Sequence, residues 1–114
     1  MTKKWTPQGL SDDALALIAG RFKALSEPSR LKLIIALERG ERTVTDLVAA
    51  TGLAQANVSR HLQTLAEAGI LARRKEGLTV IYAIADPAIF DLCDRVCGDV
   101  QKRLRQQARV IPGG

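Results

Sequence analysis

Residues 53–65 read Leu-Ala-Gln-Ala-Asn-Val-Ser-Arg-His-Leu-Gln-Thr-Leu, and this stretch combines an apolar stripe with a polar face. Val58, Leu62 and Leu65 recur at helical spacing, so they lie on one side of a helix. The other side carries amides, hydroxyls and one guanidinium, from Gln55, Asn57, Ser59, Arg60, Gln63 and Thr64. A side that only needs solvation usually carries Glu and Lys pairs. Because the groups present here are those that contact base edges and phosphates in a major groove, the stretch predicts a DNA-recognition helix.

The flanking residues predict a winged helix-turn-helix. Thr43 and Asp46 are spaced as a capping box that begins a short helix, and Gly52 suits its end. Helix, tight turn and helix then occupy residues 43–67, approximately. Two β-prone runs, over 70–75 and 78–84, are separated only by Glu76-Gly77, which predicts a two-residue hairpin. The expected fold class is α+β, mostly α, with a two-stranded β-hairpin wing over about residues 70–84.

Three segments, in register, resemble the ArsR/SmtB-type bacterial transcriptional repressors. They are Glu27-Pro28-Ser29-Arg30-Leu31, Val58-Ser59-Arg60-His61-Leu62, and the wing from Arg74-Lys75-Glu76-Gly77 through Tyr82. The resemblance extends from about residue 12 to about residue 105, in the family's order of elements. It implies a homodimeric repressor whose operator affinity is switched by metal ions, metalloids, thiol chemistry or other signals. The winged-helix domain is expected over residues 11–109, with flexible termini at 1–10 and 110–114.

Apolar stripes near both ends of the chain predict where a second copy packs. Ser11 can cap a first helix, which bears Leu15, Ile18, Phe22 and Leu25. A final helix, over about residues 87–108, bears Ile89, Leu92, Cys93, Val96, Val100 and Leu104. Between them, a helix beginning at Pro28 is expected to bury Leu31, Ile34, Ile35 and Leu37. In the resembling family the first and last helices form the dimer interface; the alternative, that both stripes only cover their own core, stays open.

Charge and length agree with a nucleic-acid partner. The 114 residues suit one domain, and 17 Lys and Arg against 12 Asp and Glu give a net charge of +5. Arg73, Arg74 and Lys75 of the wing are predicted to contact the DNA backbone or minor groove, the alternative being a merely solvated strand. The chain has no apolar run of about 20 residues and no apolar signal-peptide core near its start. A cytoplasmic protein with no membrane partner is therefore expected.

The predicted function is sequence-specific transcriptional regulation by a homodimer on an imperfect palindromic operator. The rival interpretation is a winged helix used for protein contact or as a dimer scaffold, without specific DNA binding. An enzyme is a poor fit, because the chain has one histidine and no phosphate-cradling glycine-rich loop. No cofactor and no metal site are expected, and His61 is assigned a structural or phosphate-contacting role.

One pair of residues in the chain is a candidate for sensing the signal that releases DNA. Thr43 and Thr45 stand where the family's best-known metalloid site has cysteines, and no cysteine precedes Cys93. Cys93 and Cys97 lie four residues apart on the final helix, with Cβ atoms about 5–6 Å apart, too far for a relaxed disulfide. Two such thiolates suit a soft metal, a metalloid or an oxidant as inducer. Packing and sensing both remain open roles for this pair.

Two positions depart from the family pattern. Ala54 stands where the family commonly has a Ser or Thr that caps the recognition helix, and alanine cannot cap. Leu78 follows the hairpin glycine where the family often has Arg. Contacts at the helix start and at the wing tip are therefore expected to be weaker than in the family.

Overall fold

A computed structural model describes residues 9–110 of the chain, without the side chains of residues 109 and 110. The expected flexible termini, 1–10 and 110–114, lie almost wholly outside this range. The helices are α1 (Asp12–Leu25), α2 (Pro28–Ala36), α3 (Val44–Thr51), α4 (Gln55–Glu67) and α5 (Ala88–Val110). The strands are β1 (Arg42–Thr43), β2 (Leu71–Glu76) and β3 (Thr79–Ile84). The architecture is the predicted winged helix-turn-helix.

Side-chain caps fix the beginnings of α1 and α3. The Ser11 hydroxyl accepts a hydrogen bond from the Ala14 amide at 3.1 Å. At α3, the Thr43 hydroxyl accepts from the Asp46 amide, and the Asp46 carboxylate accepts from the Thr43 amide. This is the predicted capping box, which satisfies two otherwise unpaired amides. Gly52 ends α3 with φ 73°, a left-handed conformation that glycine adopts without steric cost.

The core lies between α2, α3, α4 and the inner end of the sheet. The predicted stripe of α4, Val58, Leu62 and Leu65, is fully buried. It packs with Leu33, Ile34, Leu37, Leu47, Ile70, Leu71 and Tyr82. The expectation for Ile35 is wrong, because its side chain is exposed, and Leu33 occupies the core instead. α2 packs against α3 and α4 through the side that bears Leu33, Ile34 and Leu37. Ile35 lies on the other side of α2 and therefore faces solvent.

The wing differs from the prediction in two details. Its sheet has three strands in the order β1-β3-β2, because Arg42 and Thr43 pair antiparallel with Tyr82 and Ile81. The hairpin turn lies one residue later than predicted: Glu76 pairs with Thr79, so Gly77-Leu78 forms the turn. Gly77 has φ 63°, and Leu78, like every other non-glycine residue between 9 and 110, has a negative φ, which fits a type II′ turn with glycine first. Glu76 is thereby left in the strand.

The apolar stripes of α1 and α5 are largely uncovered. Leu15, Phe22, Val96, Val100 and Leu104 are all exposed. Only the first turns of α5 reach the core, where Ile89 and Phe90 pack. The radius of gyration is 17.2 Å, against about 13 Å for a compact domain of about 100 residues. Among residues 9–110, no helix has both the length and the apolarity needed to cross a membrane.

Candidate nucleic-acid interface

The polar face of α4 points to solvent. Gln55, Asn57, Arg60 and Gln63 are exposed, opposite the buried apolar stripe. No large apolar side chain of α4 is exposed. A helix that docks on a protein partner usually presents aromatic or aliphatic anchors, whereas amides and a guanidinium suit base edges and phosphates. The surface of α4 therefore has the chemistry of a DNA-reading helix.

Ser59 and Thr64 lie at the two edges of this face. Both are half-buried, and helical geometry places them on opposite flanks of the buried stripe. The Thr64 hydroxyl donates to the Arg60 carbonyl at 3.1 Å. The Arg60 guanidinium donates to Oδ1 of Asn57 at 3.2 Å, one turn earlier on the exposed face. Arg60 and Asn57 therefore form a connected polar pair at the centre of the predicted DNA-contacting residues.

The beginning of α4 carries no side-chain cap. Ala54 has the extended backbone typical of a capping residue, φ −64° and ψ 142°, but its methyl group accepts no hydrogen bond. The first amides of α4 are thus available to an outside acceptor. The amino end of a helix favours anions, so a DNA phosphate suits this position.

His61 is buried, and both of its ring nitrogens have partners. Nδ1 lies 3.2 Å from Nε of Arg30. Nε2 lies 3.3 Å from Oε1 of Glu27. Arg30 also contacts Glu27, at 3.2 Å, and donates to the carbonyls of Lys23 and Ala24 in the last turn of α1. The position of His61 therefore fits the structural role among its two predicted roles.

The three wing cations differ in their surroundings. Arg74 forms a two-pronged ion pair with Glu41, and its Nη2 also lies 3.1 Å from Glu76. The hydrogen bond from Arg74 lowers the pKa of the Glu41 carboxyl below its usual value. Hydrogen bonds to Glu41 and then to Glu76 raise the pKa of Arg74. Two carboxylates thus offset the one positive charge of Arg74.

Arg73 and Lys75 point away from this cluster. They alternate with Arg74 along β2, so their side chains emerge on the opposite face of the sheet. Within the described part of the chain neither forms an ion pair. Both side chains are exposed. Of the three predicted wing contacts, Arg73 and Lys75 are the cations best able to meet a phosphate.

Cys93 and Cys97 are free thiols on the apolar side of α5. Cys93 is half-buried and Cys97 is exposed. Burial, with smaller effects of Cys97 and Asp94, raises the pKa of the Cys93 thiol. Over residues 9–110, no cluster of three or more His, Cys, Asp or Glu side chains could hold a metal ion. One chain alone therefore offers two thiols to a soft ligand.

Sequence analysis missed the partners of Arg30 and Arg74. Arg30 and His61 are 31 residues apart, and Arg74 and Glu41 are 33 apart. Neither pair follows a helical or strand period, so local patterns could not find them. The one available signal was that Arg30 and His61 both fall in segments that resemble the repressor family.

The chain is similar to known proteins along most of its length. The family model described as "Bacterial regulatory protein, arsR family" matches residues 27–73. A transcriptional repressor SmtB homolog of Synechocystis is 35% identical over 96 residues, which cover 84% of this chain and 73% of that protein. A probable mercury resistance operon repressor of Streptomyces lividans is 41% identical over 71 residues, covering 62% of this chain and 57% of that protein.

A solved structure agrees with the fold. The homodimeric winged helix-turn-helix DNA-binding domain of Mb0332 from Mycobacterium bovis superposes with a TM-score of 0.73 at 31% identity. The match covers 87% of this chain and 94% of that one. Together with the polar face of α4, these similarities identify a DNA-binding transcriptional regulator: the chain belongs to the arsR family of bacterial regulatory proteins.

Proposed function

We propose that two copies of this chain bind an imperfect palindromic operator as a homodimer and repress transcription there. The observation that carries the proposal is the exposed, almost uncharged polar face of α4, fixed by a fully buried apolar side. Each α4 would enter a major groove, with Gln55, Asn57, Ser59, Arg60, Gln63 and Thr64 nearest the bases and phosphates. Because its target is the bacterial chromosome, the protein would act in the cytoplasm.

The uncovered stripes support a dimer. Leu15 and Phe22 of α1, and Val96, Val100 and Leu104 of α5, expose apolar side chains that a second copy would bury. A twofold pair would place two α4 helices about 34–36 Å apart, one turn of the duplex. The similarity to a homodimeric winged-helix domain supports the same assembly.

The wing would add sequence-independent affinity. Arg73 and Lys75 would neutralise phosphates, so operator affinity should fall steeply as salt rises. Arg74 would contribute less, since Glu41 and Glu76 already hold its guanidinium. The apolar tip at Leu78 would replace the arginine that the family often carries there.

An electrophoretic mobility shift with the DNA upstream of its own gene tests the proposal. Arg60→Ala should weaken this complex about tenfold to a hundredfold, the usual effect of removing one specific base contact. Arg95→Ala removes the same charge from the exposed side of α5 and should leave affinity unchanged within about twofold. Equal binding of wild-type protein to unrelated DNA would overturn operator recognition and would favour a non-specific or protein-binding role.

We extend the proposal to the inducer, which would act on Cys93 and Cys97. Soft metal ions and metalloids bind thiolates, and thiol oxidants react with them. Cys93 lies in the stripe that we assign to the partner subunit and Cys97 lies one turn later, so a modified or metal-bound pair would disturb the dimer geometry. The raised pKa of Cys93 means that a bound ion must displace its proton.

Operator release by arsenite, cadmium, zinc and thiol oxidants, each added separately, tests this extension. Wild-type protein should release DNA with at least one of them, and the double variant Cys93→Ser/Cys97→Ser should not respond. An equal response of both proteins would exclude the cysteines as the switch, while leaving operator binding itself intact.

A further inference from the structure

Arg30 of α2 contacts two other helices at once. From α2, its Nη1 donates to the carbonyls of Lys23 and Ala24, at 3.3 and 3.2 Å, at the carboxyl end of α1. Its Nε donates to Nδ1 of His61 in the middle of α4. Its Nη2 meets Glu27 beside the beginning of α2. A guanidinium at the carboxyl end of a helix is favourably placed against the helix dipole.

The hydrogen bond between Arg30 and His61 defines the state of the imidazole. Arginine nitrogens only donate, so Nδ1 of His61 must accept. The ring is therefore neutral, with its proton on Nε2, which faces the carboxylate of Glu27 at 3.3 Å. The His61 side chain is 4% exposed and the Arg30 side chain 18%, so little water competes for the bond between them, whereas Glu27 is 41% exposed.

His61 lies at the edge of the buried side of α4. Val58, Leu62 and Leu65 hold the helix against the core, but apolar contacts are not directional. Hydrogen bonds have preferred distances and angles. A directional bond at the edge of the stripe adds to this packing a second constraint on the rotation of α4 about its own axis, and that rotation sets where Asn57 and Arg60 point.

We propose that Arg30, acting through Nδ1 of His61, is a positioning residue for DNA recognition that links the end of the dimerisation helix α1 to the orientation of α4. The inference rests on the proposed operator binding. Neither residue needs to touch DNA. The bond would matter for specific DNA, where the direction of Arg60 and Asn57 counts, and much less for unrelated DNA, where affinity comes from phosphate neutralisation.

Two amide substitutions test the roles of the two ring nitrogens of His61 separately. In His61→Asn, the side-chain oxygen can take the place of Nδ1 and still accept from Arg30, while the donor to Glu27 is lost. In His61→Gln, the longer amide can take the place of Nε2 and reach Glu27, while the acceptor for Arg30 is lost. Glu27→Gln is the matched control, because it removes a charge from the same cluster without touching the bond between Arg30 and His61.

Dissociation constants for upstream DNA and for unrelated DNA, measured on each variant with its melting temperature, give the test. We expect His61→Asn and Glu27→Gln to keep operator affinity within about threefold, and His61→Gln to lose about tenfold or more, with unrelated DNA bound alike by all. Equal losses for the Asn and Gln variants, or a loss that is the same on both DNAs, would overturn the inference.

A readout independent of DNA comes from nuclear magnetic resonance. The chain has one histidine, so a long-range proton–nitrogen spectrum shows one imidazole. Wild-type protein should show an unprotonated Nδ1 and a protonated Nε2, and Arg30→Lys should shift the Nδ1 signal most. A protonated Nδ1 in the wild type would overturn the link even if DNA binds. Failure of the wild type to bind upstream DNA would instead overturn the proposed function, and this inference with it.

Discussion

α4 and α5 are both amphipathic helices, but only α4 has its apolar side covered by its own chain. Val58, Leu62 and Leu65 of α4 are 0% exposed, whereas Val96, Val100 and Leu104 of α5 are 55%, 49% and 58% exposed. The helix that we propose reads DNA is thus fixed within one chain, while the helix that we propose sets the spacing of two such helices is not. The stability of α4 within one chain and the geometry of the dimer can therefore be tested by separate substitutions.

The largest effect is expected from Leu62→Ala on the covered side of α4. Leu62 is fully buried, so the substitution should lower the free energy of unfolding by about 2–5 kcal/mol through lost burial and a residual cavity. Denaturant unfolding at a fixed protein concentration measures it. Gln63→Ala, at the exposed neighbour, should change the same quantity by less than about 0.5 kcal/mol. Similar losses for both would contradict the assigned helix orientation.

Val100→Glu should disrupt the proposed dimer contact on the uncovered side of α5. Two carboxylates would be buried near the twofold without partners, which costs several kcal/mol, so dimerisation should weaken at least about a hundredfold with little change in helix content. Sedimentation velocity across a concentration series measures the dissociation. Gln101→Glu introduces the same charge at an exposed position about 100° around α5 from Val100 and should leave the dimer intact. A dimer in both variants would place the interface elsewhere.

Thiol labelling should report coverage of α5 directly. Cys93 lies in the stripe that the partner would bury, and burial already raises its pKa in one chain. We expect its alkylation to be about tenfold slower in the wild-type dimer than in the Val100→Glu monomer, since the thiolate must form and be reached. Mass spectrometry of the Cys93 peptide gives both rates. Equal rates would mean that the partner subunit leaves the Cys93 thiol accessible to the reagent.

The smallest effect is expected at the beginning of α4. Ala54→Ser supplies the missing cap in a backbone conformation that already suits one, so it should raise the free energy of unfolding by about 1 kcal/mol. Thermal and denaturant unfolding measure the gain. Ala56→Ser places the same side chain inside the first turn, where no capping bond is available, and should give none. A gain at both positions would rule out capping as the cause.

Local sequence patterns predicted the helices well, because caps and periodicity act over a few residues. Thr43 with Asp46 fixed the beginning of α3, and the spacing of Val58, Leu62 and Leu65 predicted both the extent of α4 and its buried side. The polar face followed directly, since it is what remains opposite the stripe. These features need no tertiary information.

The features that could not be predicted all depend on contacts between distant parts of the chain. β1 has two residues, too few for an alternating pattern, and exists because β3 offers it an edge. The turn at Gly77-Leu78 is set by the register of the strand pair. The pairing of Arg74 with Glu41 changes the expected contribution of a wing cation, and only the folded chain brings the two side chains together.

The uncovered apolar stripe of α5 also affects how repression would depend on the cellular concentration of the protein. If two chains must meet before both reading helices fit one operator, occupancy at low abundance rises with the square of the number of copies. Halving the number of copies per cell would then reduce operator occupancy about fourfold. Dilution of the protein by cell growth would therefore contribute to derepression of the gene.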